Sequence, residues 1–282
     1  MAVDNFIKHV WSTAILRALE NQHVAASIAS RRYEGEIRQG GERVKINQLG
    51  YPTVASYTKN STSVSPETLV SSQLWLDIDQ VNYFAFELDD LDKVQGTPGI
   101  FEEATRNSAY SLADTADSYA LGLYAQGGIS QNSDSSPADI NSTNIEEEVL
   151  ELAEQMDEAN IPRQNRFMII PPWFLNKMVL AGIANQTNND ATYQNGFVQK
   201  ALGFDLLLSN NVSIGTASTG AQTRIIAGVR GFSYLYAEQL LSVESYRPED
   251  GFADALKGLH VFGGKWIPDR TAVLYADKTD EA

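Results

Sequence analysis

Cysteine is absent from all 282 residues. That excludes a disulfide scaffold, a thiolate zinc centre, an iron–sulfur cluster and a cysteine nucleophile together. Histidine is scarce: His9, His23 and His260 are the only three. They fall on stretches that read as separate elements, so neither a histidine metal centre nor a nucleophile–His–acid triad can be assembled from them. Positive charge is also short. Lys and Arg total 21 against 36 Asp and Glu, a net charge of −15. A chain whose main task is to neutralise phosphates is basic, so nucleic-acid binding as the primary function is disfavoured. No apolar run approaches the ~18–20 residues that cross a bilayer. Met1–Leu16 carries Asp4, Lys8 and His9 inside its apolar positions, unlike a secretion signal. No membrane partner is expected.

What is present is a soluble composition, 43% hydrophobic and 10% aromatic, with enough length for two subdomains. Thr97 to Tyr124 reads as one uninterrupted helix. Ile100, Phe101, Ala104, Ala109, Leu112, Ala113, Ala116, Ala120 and Leu123 recur mostly three or four apart. Glu102, Glu103, Arg106, Asn107, Asp114 and Asp117 are expected on its wet face. At 1.5 Å per residue it spans roughly 40 Å, and its many small residues imply something packed closely along it.

Before it, Asn5–Leu19 has helical spacing. Tyr33–Gln39 and Glu42–Asn47 flank Gly40-Gly41 and predict a hairpin. This ribbon has little apolar surface and many charges, and a two-stranded ribbon alone is marginal in water. It is either a solvated surface hairpin or an arm that orders on a neighbouring subunit. Leu74–Gln80 alternates as a half-buried strand, and Val81–Asp92 runs apolar into an acidic knot at Glu87, Asp89, Asp90 and Asp92. After the helix, Gln126–Asn144 reads as loop. Asn144 is placed to cap a second helix with Glu147 as its capping-box partner, and Ile145, Val149, Leu152 and Met156 mark that helix's buried stripe. From 162 to 230 strands and helices alternate: Arg166–Ile170 as strand, Trp173–Ala184 and Phe197–Leu202 as helices, Phe204–Leu208 as strand, Asn210–Gln222 as loop, Arg224–Val229 as strand. Leu240–Tyr246, Leu259–Phe262 and Thr271–Tyr275 are the last strands, with Gly251–Lys257 a turn of helix.

The acidic knot fails as a calcium loop. Counting from Asp90, position five is Val94, six is Gln95 and twelve is Phe101. Gly258–Lys265 has the wrong spacing for a phosphate loop, with Trp266 where Ser or Thr belongs. Gly215–Gly220 has one residue too many for a nucleophile elbow. No catalytic residue, cofactor site or metal site is assigned.

The order of parts resembles the major capsid protein of tailed double-stranded DNA bacteriophages, whose fold herpesvirus shells and encapsulin compartments share. The likeness lies in Ile78-Asp79-Gln80 with Tyr83–Asp92, in Ala109–Asp117, and in Tyr236–Gln239, Glu244–Pro248, Phe252 and Gly258–Gly263. It implies an α+β fold. Residues 1–30 would be an N-terminal arm and 31–75 an extended E-loop lying over a neighbour. Residues 76–160 and 236–276 would form a peripheral domain with 97–124 as its spine helix, 161–235 an axial domain, and 277–282 a tail.

The same resemblance implies self-assembly into hexamers and pentamers of an icosahedral head, made in the cytoplasm of a bacterial host. That head encloses double-stranded DNA without sequence-specific binding. The expected partners besides the chain itself are a separate scaffolding protein, a portal and a decoration protein. Lys45 and Lys59 lie where some relatives cross-link, but no catalytic Glu accompanies them, so no cross-link is expected. Arg38, Glu42, Arg43 and Lys45 are the candidate intersubunit contacts, against the plainer reading of a solvated hairpin face. The alternatives are an encapsulin-type compartment shell and, from a different class, a cytosolic α/β enzyme with an acidic cation-binding site at 87–92.

Overall fold

The computed structural model describes residues 24–33, 43–49, 52–61, 63, 66–68, 71–89, 100–183, 200–212, 214–216, 221–248 and 253–278. The expected helix at Asn5–Leu19, the first half of the hairpin and Asp90–Asp92 lie outside them. The fold is mixed α+β.

The centre of the molecule is a helix under a sheet. Helix α2 (Ile100–Gly122), following the short α1 (Val24–Ile28), runs 23 residues and continues as a 3-10 turn, Leu123–Gln126. Three strands lie across it: β3 (Gln80–Asp89), β11 (Tyr234–Tyr246) and β12 (Ala253–Trp266), antiparallel, in the order β11–β12–β3. Alternation puts every second residue of β12 toward α2. Leu256, His260, Phe262 and Trp266 are all buried there. From the helix side, Ala109, Leu112, Ala113, Ala116 and Ala120 face them, each 5% exposed or less. The small side chains bring the helix backbone close enough for the Trp266 indole to donate to the Ala120 carbonyl, 2.8 Å away. On the outer side Ser111 and Thr115 hydroxyls donate to carbonyls four residues back, so these weak helix formers satisfy themselves locally.

Asp117 departs from its expected place on the wet face. It is 4% exposed. Its Oδ1 accepts the Ala25 amide at 2.8 Å and its Oδ2 the Ser209 hydroxyl at 3.3 Å. The carboxylate thereby ties α1 and the end of a distant strand to α2. The chain after α1 continues along β11: the Ser30 amide donates to the Tyr234 carbonyl, and Ser30 in turn accepts from the Tyr236 amide.

The second layer is an eight-stranded mixed sheet, ordered β4 (Ile129–Gln131), β13 (Thr271–Lys278), β10 (Ala221–Val229), β6 (Arg166–Ile170), β8 (Phe204–Leu208) and β7 (Lys200–Ala201). There β5 (Ala138–Ile140) pairs with β13, and β9 (Ile214–Thr216) with β10. Helices α3 (Ile145–Glu158) and α4 (Pro172–Leu180) cover one face, burying Val149, Leu152, Met156, Phe174 and Met178. Phe167, Ile169 and Ile226 on the other face meet Trp266 and the α2 stripe. Covered on both sides, β6 is buried at all five positions.

Several expectations are corrected here. The 126–144 stretch is not simply loop: β4 and β5 add to β13 in parallel, their apolar signal too short to stand out between polar turns. Residues 253–257 belong to a strand, not a helical turn, because Ala255 and Leu256 pair with Tyr246 and Ser245 on one side and with Glu87 and Phe86 on the other. Of the expected Phe197–Leu202 helix, the described part is the strand Lys200–Ala201. Within Asn210–Gln222, Ile214–Thr216 is a strand. Asn144 makes no side-chain cap to α3. Its Oδ1 instead accepts the Asn141 amide, while Asn141 Oδ1 accepts from Thr143 and Asn144. Finally, Arg43–Leu49 (β1) pairs with Ser71–Asp77 (β2). The expected partner Tyr33–Gln39 is outside the described residues beyond Tyr33.

Two glycines predict stability effects of opposite sign. A Cβ on Gly264 would collide with the buried Tyr234 hydroxyl, so Gly264→Ala is expected to lower the melting temperature by the equivalent of about 1–3 kcal/mol. Gly122 is in right-handed helical conformation, with nothing near an added Cβ, so Gly122→Ala should raise it by up to about 1 kcal/mol. Calorimetry of the unassembled subunit reads both; equal effects would contradict this packing.

Candidate assembly interface

The ribbon β1–β2 has two unlike faces because alternation splits its residues cleanly. Val44, Ile46 and Leu76 are buried against Leu235, Ala237 and Ile267. Leu235 and Ala237 are the β11 positions pointing away from α2, and Ile267 follows β12, so the ribbon base closes the outer side of the three-stranded sheet. The crossing is tight: a Cβ on Gly263 would strike the Asp77 carbonyl. The hairpin therefore uses its own chain as core for one face, which its sparse apolar content did not suggest.

Its other face is open. Arg43 stands opposite Asp77, Nε to Oδ1 2.6 Å, with both side chains well exposed. Lys45 lies opposite Trp75, its Nζ 5.8 Å from the ring centre, and Trp75 is 45% exposed. Two of the four candidates, Arg43 and Lys45, are thus brought to one surface. Arg38 and Glu42 fall outside the described residues. Reasoning from sequence overlooked Trp75, although an aromatic on the polar phase of the Leu74–Gln80 alternation was the available signal. The same holds for Val81 and Tyr83, which alternate with the inward Phe84 and Phe86 and are 59% and 78% exposed. The ribbon base occupies one part of that sheet face, and Val81 and Tyr83 remain uncovered beyond it. An exposed ion pair and a cation over an indole contribute little to folding. They suit a surface that meets another protein.

The acid–imidazole cluster of this chain lies beneath, not at, this surface. Glu238, 4% exposed, receives Arg31 (Nη1 to Oε1, 2.8 Å) and the Tyr236 hydroxyl (3.0 Å), and His260 Nε2 lies 3.5 Å from its Oε2. His260 is completely buried, stacked on Phe262 at 5.0 Å. Burial would push the Glu238 carboxyl up. The neighbouring His260, Arg31 and Tyr236 outweigh that and hold it at about 2. With Glu238, His260 and Tyr236 buried and Arg31 reaching them from the surface, the cluster acts as a clamp. It fixes the segment after α1 to β11 through Arg31.

Among the described residues no group of three or more His, Asp or Glu is placed to hold a metal. Of the acidic knot, Glu87 and Asp89 end β3; the rest lies outside the described residues.

A long helix beneath a three-stranded sheet, a second mixed sheet behind it and a projecting ribbon together define the capsid fold of tailed phages. Residues 76–276 match the family model described as phage capsid protein. The chain belongs to that family: it is a major capsid protein, and its place is the shell of the virion. Similar solved structures carry the same fold. That from Mycobacterium phage Che8 is 24% identical, with a TM-score of 0.74 over 90% of this chain and 91% of that one. The capsid of cyanophage P-SCSP1u is 17% identical, TM-score 0.65, over 85% of each. A virus-like particle from Pyrococcus furiosus is 12% identical, TM-score 0.57, over 97% of this chain and 100% of that one. No curated protein matches the sequence.

The clamp predicts an acid-labile term in stability. A carboxyl held near 2 instead of its ordinary 4.5 stabilises the fold fully above pH 4.5, and the contribution is lost as pH falls toward 2. The size is on the order of 3 kcal/mol. Glu238→Gln should flatten the acid limb of melting temperature against pH over that window. A limb as steep as that of the parent protein would show that the clamp is not its source.

Proposed function

We propose that the chain assembles into pentamers and hexamers that close as an icosahedral head around the double-stranded DNA of a tailed bacteriophage. The carrying observation is the two-faced ribbon. One face is buried on its own subunit, while Arg43, Lys45 and Trp75 are presented outward, meeting only Asp77 and one another within the ribbon. We assign them to a neighbour. A pair of exposed charges beside an indole is energetically idle in a monomer and useful at an interface.

In this reading residues 1–30 are the arm, 31–75 the E-loop, 76–160 and 236–276 the peripheral domain with its spine helix at 97–124, and 277–282 the tail. Residues 161–235 are the core of the axial domain, whose sheet also takes in β4, β5 and β13. The role is structural rather than catalytic, and the buried Glu238–His260 pair, closed to any substrate, supports that. A separate scaffolding protein, a portal and a decoration protein complete the set of partners, and no covalent cross-link forms through Lys45 or Lys59. The net charge of −15 suits a wall that must hold DNA without adhering to it. A second reading, a compartment shell around protein cargo, draws support from the likeness to the Pyrococcus furiosus particle.

Negative-stain microscopy of the expressed protein, alone and with the products of neighbouring reading frames, should show closed shells, capsomer rings, sheets or tubes. A uniform monomer under every condition would overturn the proposal. Co-purified protein cargo in place of DNA would favour the second reading. Arg43→Glu should leave the fold intact and cut the yield of closed particles; unchanged assembly would remove Arg43 from the contact.

A further inference from the structure

On a strongly acidic chain, two arginines converge on one exposed ring, and a third lies two residues before it in the chain. Arg32, just after α1, holds its guanidinium 5.4 Å from the centre of Phe232; Arg270, ending the turn Pro268–Arg270, holds its own at 5.8 Å. Arg230 is exposed two residues before Phe232 in the same turn. The turn is fixed rather than loose: Gly231 takes a φ of +74°, and its amide donates to the Ile28 carbonyl at 2.8 Å. Phe232 remains 45% exposed. No carboxylate among the described residues pairs with Arg32, Arg230 or Arg270. Like charges gathered from three segments repel unless an anion joins them, and among the described residues none does.

The complementary chemistry stands elsewhere on the same chain. Helix α3 packs one stripe on the sheet and turns Leu150 outward, 48% exposed. Glu146, Glu147 and Glu154 lie four before, three before and four after it, which places them around Leu150 on one face. They border a shallow concavity of about 620 Å³. These three carboxylates have no cationic partner among the described residues.

We propose that the Phe232 patch of one subunit seats the Leu150 face of α3 of a second copy, guanidiniums against carboxylates around an apolar centre. The inference rests on the shell reading above and names the partner surface within it. An apolar contact rimmed by opposite charges is how specific interfaces are built. Neither patch complements itself, so the contact is head-to-tail, and repeated head-to-tail contacts close into a ring when the rotation allows. A phosphate backbone would satisfy the arginines equally, but it would leave Leu150 and its carboxylates unexplained.

The absence of cysteine supplies the test. In particles assembled from Leu150→Cys/Phe232→Cys, mild oxidation should give dimers, trimers and higher rungs on a non-reducing denaturing gel, collapsed by reductant. Neither single variant should do so. Independently, Arg230→Glu and Glu147→Arg should each lower particle yield about tenfold, and the double variant should recover it. Particles that form normally with no ladder and no effect of the charge changes would overturn the proposal and leave the shell reading intact. Dimers from Phe232→Cys alone would overturn it in favour of like-patch pairing. Normal particles that lose DNA on Arg230→Glu, without a ladder, would reassign the patch to nucleic acid. Failure of the parent protein to assemble at all would sink the shell reading and this proposal with it.

Discussion

Everything in this subunit depends on how closely α2 approaches the three-stranded sheet. That approach is set by the Ala109, Ala113, Ala116 and Ala120 stripe, which leaves room for a column of rings on the sheet. Trp266, Tyr234, Tyr236, Phe262 and His260 follow one another with centroid spacings between 4.6 and 6.2 Å. Larger residues on the helix would separate the layers and break the Trp266–Ala120 hydrogen bond. Larger residues at Gly264 or Gly258 would displace the Tyr234 and Phe84 rings they lie beneath. The eight-stranded sheet docks on the same seam through Phe167, so the two layers share a single hinge of aromatic packing. A core with this little slack is rigid, which suits a building block whose neighbours must all find the same surface.

Around that seam the polar groups act as ties. Asp117 links the amide of Ala25 to α2, and Glu238 links Arg31 to β11. Together they hold the segment 24–33 to the body of the subunit at two places. Both carboxylates are buried, and both have the partners that make burial tolerable. The surface charges do the opposite. Arg43, the arginines around Phe232 and the glutamates around Leu150 are left without strong intrachain partners or at solvent-exposed pairs. That division between tied carboxylates inside and exposed charges outside suits a shell subunit.

Much of this could be read from residue spacing. The period of α2, the alternation of β2, the buried run Arg166–Ile170 and the stripe of α3 all follow from amphipathic patterning, because each element buries one continuous face. The misses have physical causes. Asp117 lies at the edge of the apolar arc, and only the tertiary arrival of Ala25 and Ser209 makes it interior. β4 and β5 exist because β13 offers them an edge, not because three residues carry a signal. Ala253–Lys257 contains good helix formers, and sheet pairing on both sides overrides them. On the outward face proposed as the interface, charge pointed to Arg43 and Lys45, while Trp75 and Tyr83 went unnoticed because an aromatic in an alternating strand suggests core. The Phe232 patch draws on three distant segments, and no local pattern could assemble it.

The central claim is that the seam is complete in one subunit while the outer ribbon face is completed only by a neighbour. Hydrogen–deuterium exchange on free subunits and on assembled particles tests it directly. The account predicts that amides of β12 and of α2 from Ala109 onward are protected equally in both states. Those of Arg43–Leu49 and Ser71–Asp77 should gain protection on assembly. A ribbon that exchanges at the same rate in subunit and particle, or a seam that becomes protected only in the particle, would contradict it.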